Sequence, residues 1–317
     1  MCIRDSFWRD VSKIKPSKIA QKVRADNIDI FVGTTNFLAS NRIVLAHQPA
    51  PIIVSYMNQV STTGLSKVDY VIVDDRISPV GIGDDFFTEK VIRLNDFICY
   101  CPPGKEVVVK PPPLIANGYI TFGCFNNLAK LNQRVISKWS NILKSVPNSR
   151  IKLVTHGFKD LTLQDRYLKL FKASGIQQDR IEFVTSPLER AEYLSQYNSI
   201  DIALDPFPFN GGTVSDEALY MSVPLITLAG NTEMGRMSMS KLLRLNLKEL
   251  IAFNVEDYVQ IAIDLACDID KIKKFKTKIR DMALVTIFNG KDHVNALERA
   301  YSEMWKDYCV QKNLEGS

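Results

Sequence analysis

From Tyr119 to Leu245 the chain repeats one pattern: a short apolar run, a turn, then a helical segment. Few folds accept it. The runs at 119–122, 151–154, 181–184, 202–204 and 224–228 read as strands. The segments 132–146, 161–174, 188–197, 215–221 and 238–245 read as helices. In the first of these, Val135, Ile136, Trp139, Ile142 and Leu143 share one face at helical spacing. Short strands alternating with helices predict a parallel sheet covered on both faces. Right-handed crossovers make that sheet Rossmann-like and put ligands at the strands' carboxyl ends.

The first half is similar but less regular. Apolar runs at 28–32, 51–55, 70–73 and 91–94 predict strands, and 39–47 a helix. Between the halves stand Cys101-Pro-Pro-Gly104 and Lys110-Pro-Pro-Pro113. Prolines resist both helix and central strand, so this break marks a domain boundary near residue 115. From Val255 onward the pattern is helical, and 292–308 fits one long terminal helix. The first six residues match nothing that follows and are left out of the fold reading.

Composition removes several function classes. A length of 317 residues suits about two domains. With 46% hydrophobic and 24% charged residues, the composition is that of a soluble globular protein. No apolar run is long enough to span a bilayer, so no membrane partner is expected. The net charge of +5 comes without a dense basic block. Lys271 to Lys278 reads as the wet face of a helix, which argues against a nucleic-acid groove. Six scattered cysteines form no C-x-x-C pair, and the histidines are His47, His156 and His293. A metal site is not expected, and reduced thiols point to the cytoplasm.

The segment that carries chemistry is Asp201 to Glu217. Ile202 to Leu204 ends in Asp205, two prolines follow, then Asn210-Gly211-Gly212-Thr213, then a helix. A strand, a glycine turn and a helix start bring backbone N–H groups and the positive end of a helix dipole to one point, which suits a phosphate. The two glycines are expected to offer successive N–H donors, and Thr213 a hydroxyl. Glu217, one turn on, suits a ribose diol. A plain tight turn capped by Thr213 or Ser215 is the alternative. Phe122 to Lys130 also follows a strand. There Gly123 would let the backbone pass close to a ligand, Asn127 could hydrogen-bond it, and Lys130 could sit on a diphosphate or merely in solvent. Ser186, Pro187 and Glu189 read as a capped helix start, with Arg190 within reach of a base or phosphate. Gly235 to Ser240 reads as a further helix start, with Arg236 toward the site or toward solvent. Asp268 and Asp270 fall between helices, and Asp74, Asp75, Asp84 and Asp85 read as loop carboxylates.

Three segments in order resemble a known family: Phe122–Lys130; Ile202–Thr213 with Glu217–Pro224; and Leu247–Ala252 with Leu297–Trp305. They are similar to the catalytic region of O-linked N-acetylglucosamine transferases and SPINDLY-type proteins, glycosyltransferase family 41. Weaker similarity continues upstream through Asn41-Arg42, Gln48–Ile52, Ser61–Gly64 and Asp69-Tyr70. The resemblance implies a GT-B-like α/β fold, with two Rossmann-like lobes on parallel sheets and a C-terminal helical segment. The expected division is an acceptor-side lobe over 7–115, truncated at its start, a nucleotide-sugar lobe over 116–290, and a terminal helix over 291–317 returning to the first lobe. It further implies metal-independent, inverting transfer of a sugar from a UDP- or GDP-linked donor to a protein Ser or Thr, with no resident cofactor. A tetratricopeptide-repeat region normally precedes this region.

By the same resemblance Lys130 is the phosphate-contacting lysine that stabilises the leaving group. Asn127 stands where a donor-contacting Gln is common. Arg190 falls near a nucleotide-contacting basic residue. Asn210, Gly211, Gly212 and Thr213 form the phosphate turn, and Glu217 is the ribose-binding acid. The general base stays unassigned. Departures fall at Phe37, at Asn58 to Ser61 and at Tyr193, where a His is usual. They motivate a second reading, a nucleotide-binding protein of glycosyltransferase ancestry that no longer catalyses transfer. A third is an epimerase-like or glycan-directed GT-B enzyme.

Overall fold

A computed structural model describes residues 8–34, 39–57, 61–95, 100–103, 106–187 and 189–315. Phe37 and residues 58–60, at which the sequence departs from its relatives, lie outside the described residues. The chain divides into two compact units, Met1–Ile98 with Lys291–Ser317, and Cys99–Gly290.

In the first unit the elements run α1 (Pro16–Ala25), β1 (Ile30–Gly33), α2 (Ala39–Ala46), β2 (Ile52–Ser55), β3 (Tyr70–Asp74) and β4 (Lys90–Leu94). Among the described residues the four strands pair in parallel in the order β1-β2-β3-β4. Strands β2 and β3 are buried along their whole length, as continuous apolar runs between two covered faces must be. The long terminal helix Gly290–Glu315 contributes residues 291–315 to this unit. There Tyr56 Oη lies 2.7 Å from His293 Nε2, and Lys90 pairs with Asp307 at 2.9 Å.

The second unit runs α3 (Leu114–Asn117), β5 (Thr121–Cys124), α4 (Gln133–Ser145), β6 (Arg150–Val154), α5 (Leu161–Ala173), β7 (Ile181–Val184), α6 (Arg190–Ser195) and β8 (Ile202–Leu204). It continues with α7 (Thr213–Tyr220), β9 (Leu225–Leu228), α8 (Met237–Arg244), β10 (Ile251–Ala252), α9 (Val255–Cys267) and α10 (Ile269–Val285). Among the described residues its six strands are parallel, in the order β10-β9-β8-β5-β6-β7. Helix α4 buries all five residues of its predicted face, and Asn132 caps it by accepting from the Val135 N–H at 3.0 Å. Trp139 is fully buried and donates from Nε1 to Tyr258 Oη at 2.9 Å. Parallel strands in two α/β units make the fold GT-B-like.

Several local expectations are corrected. The proline-rich segment does not end a domain at 115; from Cys99 on it belongs to the second unit. Tyr100 and Val107 enter that unit's core, Asn198 Nδ2 donates to Val108 O, and Arg280 Nη2 donates to Val107 O at 2.8 Å. Prolines keep this strap extended, and its backbone groups find partners on the surface they cross. The lysine cluster of α10 is not wholly wet: Lys276 is buried, donates to Met221 O and is pulled down to about 8 by burial. Gly123 sits inside β5, where a Cβ would lie 2.5 Å from the Ile200 side chain, so it serves core packing rather than ligand approach. Ser186 does not cap α6; Glu189 does, accepting from the Glu192 N–H at 2.7 Å. Asp268 caps α10, and Asp74 and Asp84 accept loop N–H groups, as loop carboxylates do.

Candidate functional site

Strand order in the second unit reverses at β5 and β8. From β5 the chain moves outward through β6 to β7, and from β8 the opposite way through β9 to β10. The loops leaving the carboxyl ends of β5 and β8 therefore diverge and leave a crevice between them, the general ligand position of an open α/β sheet. Lys130 and the turn 210–213 are the sequence-predicted residues that stand there.

The structure brings them together. A short helical turn, Leu128–Lys130, follows β5 and is capped by Asn127, whose Oδ1 accepts from the Ala129 N–H at 2.9 Å. Lys130 leaves this turn with its Nζ 2.7 Å from Asn210 O, 3.3 Å from Asn126 Oδ1 and 4.2 Å from the centre of the Phe209 ring. Partial burial holds its ammonium below the usual lysine range. The cation is thus aimed at the glycine turn. Asn127 enters the site as the residue that presents it.

The turn itself differs from expectation in its details. Asn210 is wholly buried, and its Nδ2 donates to Pro206 O and Leu228 O, so its side chain braces the loop from within. The Gly211 N–H is not offered outward; it donates to Asp205 Oδ1 at 2.7 Å. The Gly211 carbonyl accepts from Ser238 Oγ at 3.3 Å. The Gly212 carbonyl accepts from the Ser215 N–H at 3.0 Å and from Lys241 Nζ at 2.9 Å. A trans peptide points its N–H opposite to its carbonyl. The outward donors are therefore Gly212 N–H and Thr213 N–H, one position later than the sequence suggests. Nor is the turn a plain capped helix start. Gly212 occupies the N-cap of α7 with no side-chain cap, and Ser215 Oγ is turned inward to Ser238 Oγ at 2.8 Å. An uncapped helix start keeps its orphan N–H groups and dipole for an anion.

Glu217 lies one turn along α7, mostly buried, and accepts from Tyr193 Oη at 3.1 Å. Burial pushes its carboxyl up to about 7, against opposing stabilisation by the Tyr193 hydrogen bond and the Arg190 charge. Burial likewise raises the Tyr193 hydroxyl. Arg190 does not reach toward Lys130. Its Nη2 donates to Tyr100 Oη at 3.0 Å, and its guanidinium lies 5.4 Å from that ring's centre. Burial pushes the Tyr100 hydroxyl up to about 12. The site therefore has two parts, the turn 212–213 with Lys130 directed at it, and the group of Arg190, Tyr193 and Glu217. Arg236 is buried and donates to Asn231 O, which excludes the solvent-facing reading.

Sequence reasoning misses the residues beneath the turn. Asp205 accepts from Gly211 N–H and from Thr227 Oγ1, both at 2.7 Å, and burial raises its carboxyl. Asp216 pairs with Lys241. Asp205 is readable as the acid that ends the β8 run. Ser238 and Lys241 carry no local signal, because their role exists only once α8 packs under α7. Among the described residues, no three His, Cys, Asp or Glu side chains are grouped to hold a metal ion, and no helix is long and apolar enough to cross a membrane.

Comparison with known proteins identifies the family and the fold. The pattern of glycosyl transferase family 41 matches residues 4–99 and 113–297. The Arabidopsis thaliana protein named "Probable UDP-N-acetylglucosamine–peptide N-acetylglucosaminyltransferase SPINDLY" is 38% identical over 309 residues, covering 96% of this chain and 34% of that one. The protein of the same plant named as the corresponding SEC transferase is 30% identical over 315 residues, covering 95% and 31%. Among solved structures, an O-GlcNAc transferase mutant of Thermobaculum terrenum aligns with TM-score 0.90 and 32% identity, covering 97% of this chain and 59% of that one. A sucrose-phosphate synthase of Thermosynechococcus elongatus, with TM-score 0.62 and 14% identity over 95% and 81% of the two chains, shares the fold alone. The chain thus spans about a third of the length of its plant relatives. Matched over most of its length, the chain belongs to glycosyltransferase family 41.

Proposed function

We propose that this chain transfers a sugar from a nucleoside-diphosphate donor to a Ser or Thr hydroxyl of a protein, with inversion at the anomeric carbon. The acceptor oxygen forms the new bond and gives up its proton to water as the bond from the anomeric carbon to the diphosphate oxygen breaks, and the diphosphate oxygen leaves with the electron pair. The carrying observation is the uncapped start of α7 with Lys130 Nζ directed at the same turn. Gly212 N–H, Thr213 N–H and Lys130 would receive the negative charge as it develops. Each is held before the donor arrives, and removing one such donor typically costs about 3–4 kcal/mol of transition-state stabilisation. Glu217, beside Tyr193 and Arg190, would accept from the ribose hydroxyls. In this reading the nucleotide sugar, UDP- or GDP-linked, is a substrate, and there is no resident cofactor. The names of the plant relatives and of the solved transferase support a UDP-N-acetylglucosamine donor and a peptide acceptor. The tetratricopeptide region implied by the resemblance is proposed as the acceptor-selecting partner. A cytoplasmic setting fits the free thiols of Cys101, Cys124, Cys267 and Cys309.

The test is calorimetry with UDP and GDP on the wild-type chain, Lys130→Ala and Lys159→Ala, followed by transfer of labelled sugar to protein. Lys159 is exposed on the turn after β6 and serves as the control. Lys130→Ala should lose on the order of a hundredfold in diphosphate affinity or transfer rate, and Lys159→Ala nothing. Equal effects of the two would refute the site. Donor binding without turnover would leave a nucleotide-binding protein in place of a transferase.

A further inference from the structure

One face of α8 carries Ser238 and Lys241, three residues apart and therefore neighbours on the helix surface. The two side chains take two successive carbonyls of the turn, Gly211 O at 3.3 Å and Gly212 O at 2.9 Å. Lys241 is also the partner of Asp216 in α7, at 2.5 Å, and only 14% of its side chain and 5% of that of Asp216 are exposed. A buried ion pair of this kind is costly unless its geometry is good and further hydrogen bonds complete it. Here the further bond is to the one carbonyl whose orientation fixes the Thr213 N–H. Lys241 does not face outward as a ligand contact; it acts through a peptide plane. It also lies near enough to Lys130 for the two ammonium charges to repel, so positive charge stands on two sides of the turn.

We propose that Lys241, held by Asp216, is a positioning residue for the donor's diphosphate. By fixing the Gly212 carbonyl inward, it holds the Gly212–Thr213 peptide with its N–H toward the ligand. This rests on the diphosphate reading of the site given above, and names the device that specifies it in this chain. Without the Lys241 bond the peptide keeps its helical carbonyl partner, Ser215 N–H, so the helix still starts at Thr213. What is lost is the second tie and the charge behind the turn.

Calorimetry with two probe classes tests this, UDP and GDP on one hand, uridine and guanosine on the other. Lys241→Met should weaken diphosphate binding about tenfold, the order of one charge-assisted hydrogen bond, and leave nucleoside binding unchanged. Lys241→Arg, which can still bond both Asp216 and the carbonyl, should restore most of the diphosphate affinity. A merely structural lysine would change both probe classes together, or neither. Should Lys241→Met fail to fold, Lys241→Gln, which keeps a polar head for Asp216, takes its place with the same expectation. The inference is overturned if Lys241→Met binds UDP and GDP like the wild type while Lys130→Ala does not. It is equally overturned if nucleosides and diphosphates weaken alike. If Lys130→Ala also binds normally, the diphosphate site itself is wrong.

Discussion

Replacing Gly211 by Ala puts the turn's geometry to a direct test. A Cβ built on Gly211 lies 2.2 Å from Ser215 Oγ, 3.2 Å from Asp205 Oδ1 and 3.3 Å from the Ser215 backbone nitrogen. The last two are tight but close to tolerable; the first is not. Ser215 Oγ would have to withdraw by about 1 Å to reach ordinary van der Waals separation, and doing so breaks its 2.8 Å bond to Ser238 Oγ in a site closed to water. An abandoned buried hydroxyl costs about 1–3 kcal/mol, and overpacking adds about the same again. The sum, about 2–6 kcal/mol, lowers the melting temperature on the order of 10 °C for a unit of this size. Gly212→Ala makes the control, since the nearest atom to its Cβ is the flexible Met237 Cε at 3.5 Å. Adding Ser215→Ala to Gly211→Ala removes the clashing oxygen, so the double variant should be at least about 1 kcal/mol more stable than additivity predicts. Thermal and urea unfolding of the wild type, Gly211→Ala, Ser215→Ala and the double variant supply the cycle. A Gly211→Ala chain that melts with the wild type, or a double variant that is simply additive, would refute the steric reasoning.

Two further outcomes follow from buried charges. With the Glu217 carboxyl pushed up to about 7 from 4.5, the folded chain binds this proton more tightly than the unfolded one, so the group's contribution to stability falls as pH rises from 4.5 to 7. Glu217→Gln should abolish that slope in urea titrations. It should also flatten the rise in nucleoside affinity expected as the carboxylate ionises through pH 7; a wild-type affinity without such a rise would count against ribose binding at Glu217. For Lys276, pulled down to about 8 from 10.5, the unfolded chain holds the proton over a range where the folded chain has released it, so stability rises from pH 8 to 10.5. Lys276→Met should remove this rise, and an unchanged slope would mean that the ammonium is better solvated than its burial implies.

The sheet and its ligand edge were legible because they rest on local pattern. Runs such as Ile151–Val154 between helices leave little choice but a parallel strand, and the turn residues of 210–213 mark the β8–α7 junction by type alone. Which N–H groups face outward was not legible. That depends on Asp205, Ser238 and Lys241, and the last two come from a helix more than twenty residues downstream whose packing has no signature in the turn. The start of α6 shows the same limit. Ser186-Pro187 satisfies every local rule for a cap, yet the helix begins at Arg190, where the guanidinium reaches Tyr100. Tertiary contact chose between two locally acceptable starts. Lys276 failed in the opposite direction: its neighbours in sequence are exposed lysines, and only the helix phase sets it against α7 and Met221 O.

The same dependence on distant residues explains why the turn can be rigid without a capping side chain. Each of its three peptide units is tied separately. The Asn210–Gly211 unit is held by Lys130 on its oxygen and Asp205 on its nitrogen, the Gly211–Gly212 unit by Ser238, and the Gly212–Thr213 unit by Lys241 and the helix itself. Asp205 is in turn anchored to the core, since its carbonyl accepts from Tyr258 Oη at 2.9 Å and Tyr258 accepts from the buried Trp139. A buried network of this kind, in which Asn210 Oδ1 alone of these groups lacks a partner, favours one arrangement, because others leave more polar groups unpaired in a low-dielectric interior. The uncapped N–H groups are thus the only backbone donors of the turn left to point outward, and they are fixed before any ligand arrives. Donors fixed in advance need no reorganisation when charge appears on a departing diphosphate, and that is the condition under which a backbone N–H contributes most to a transition state.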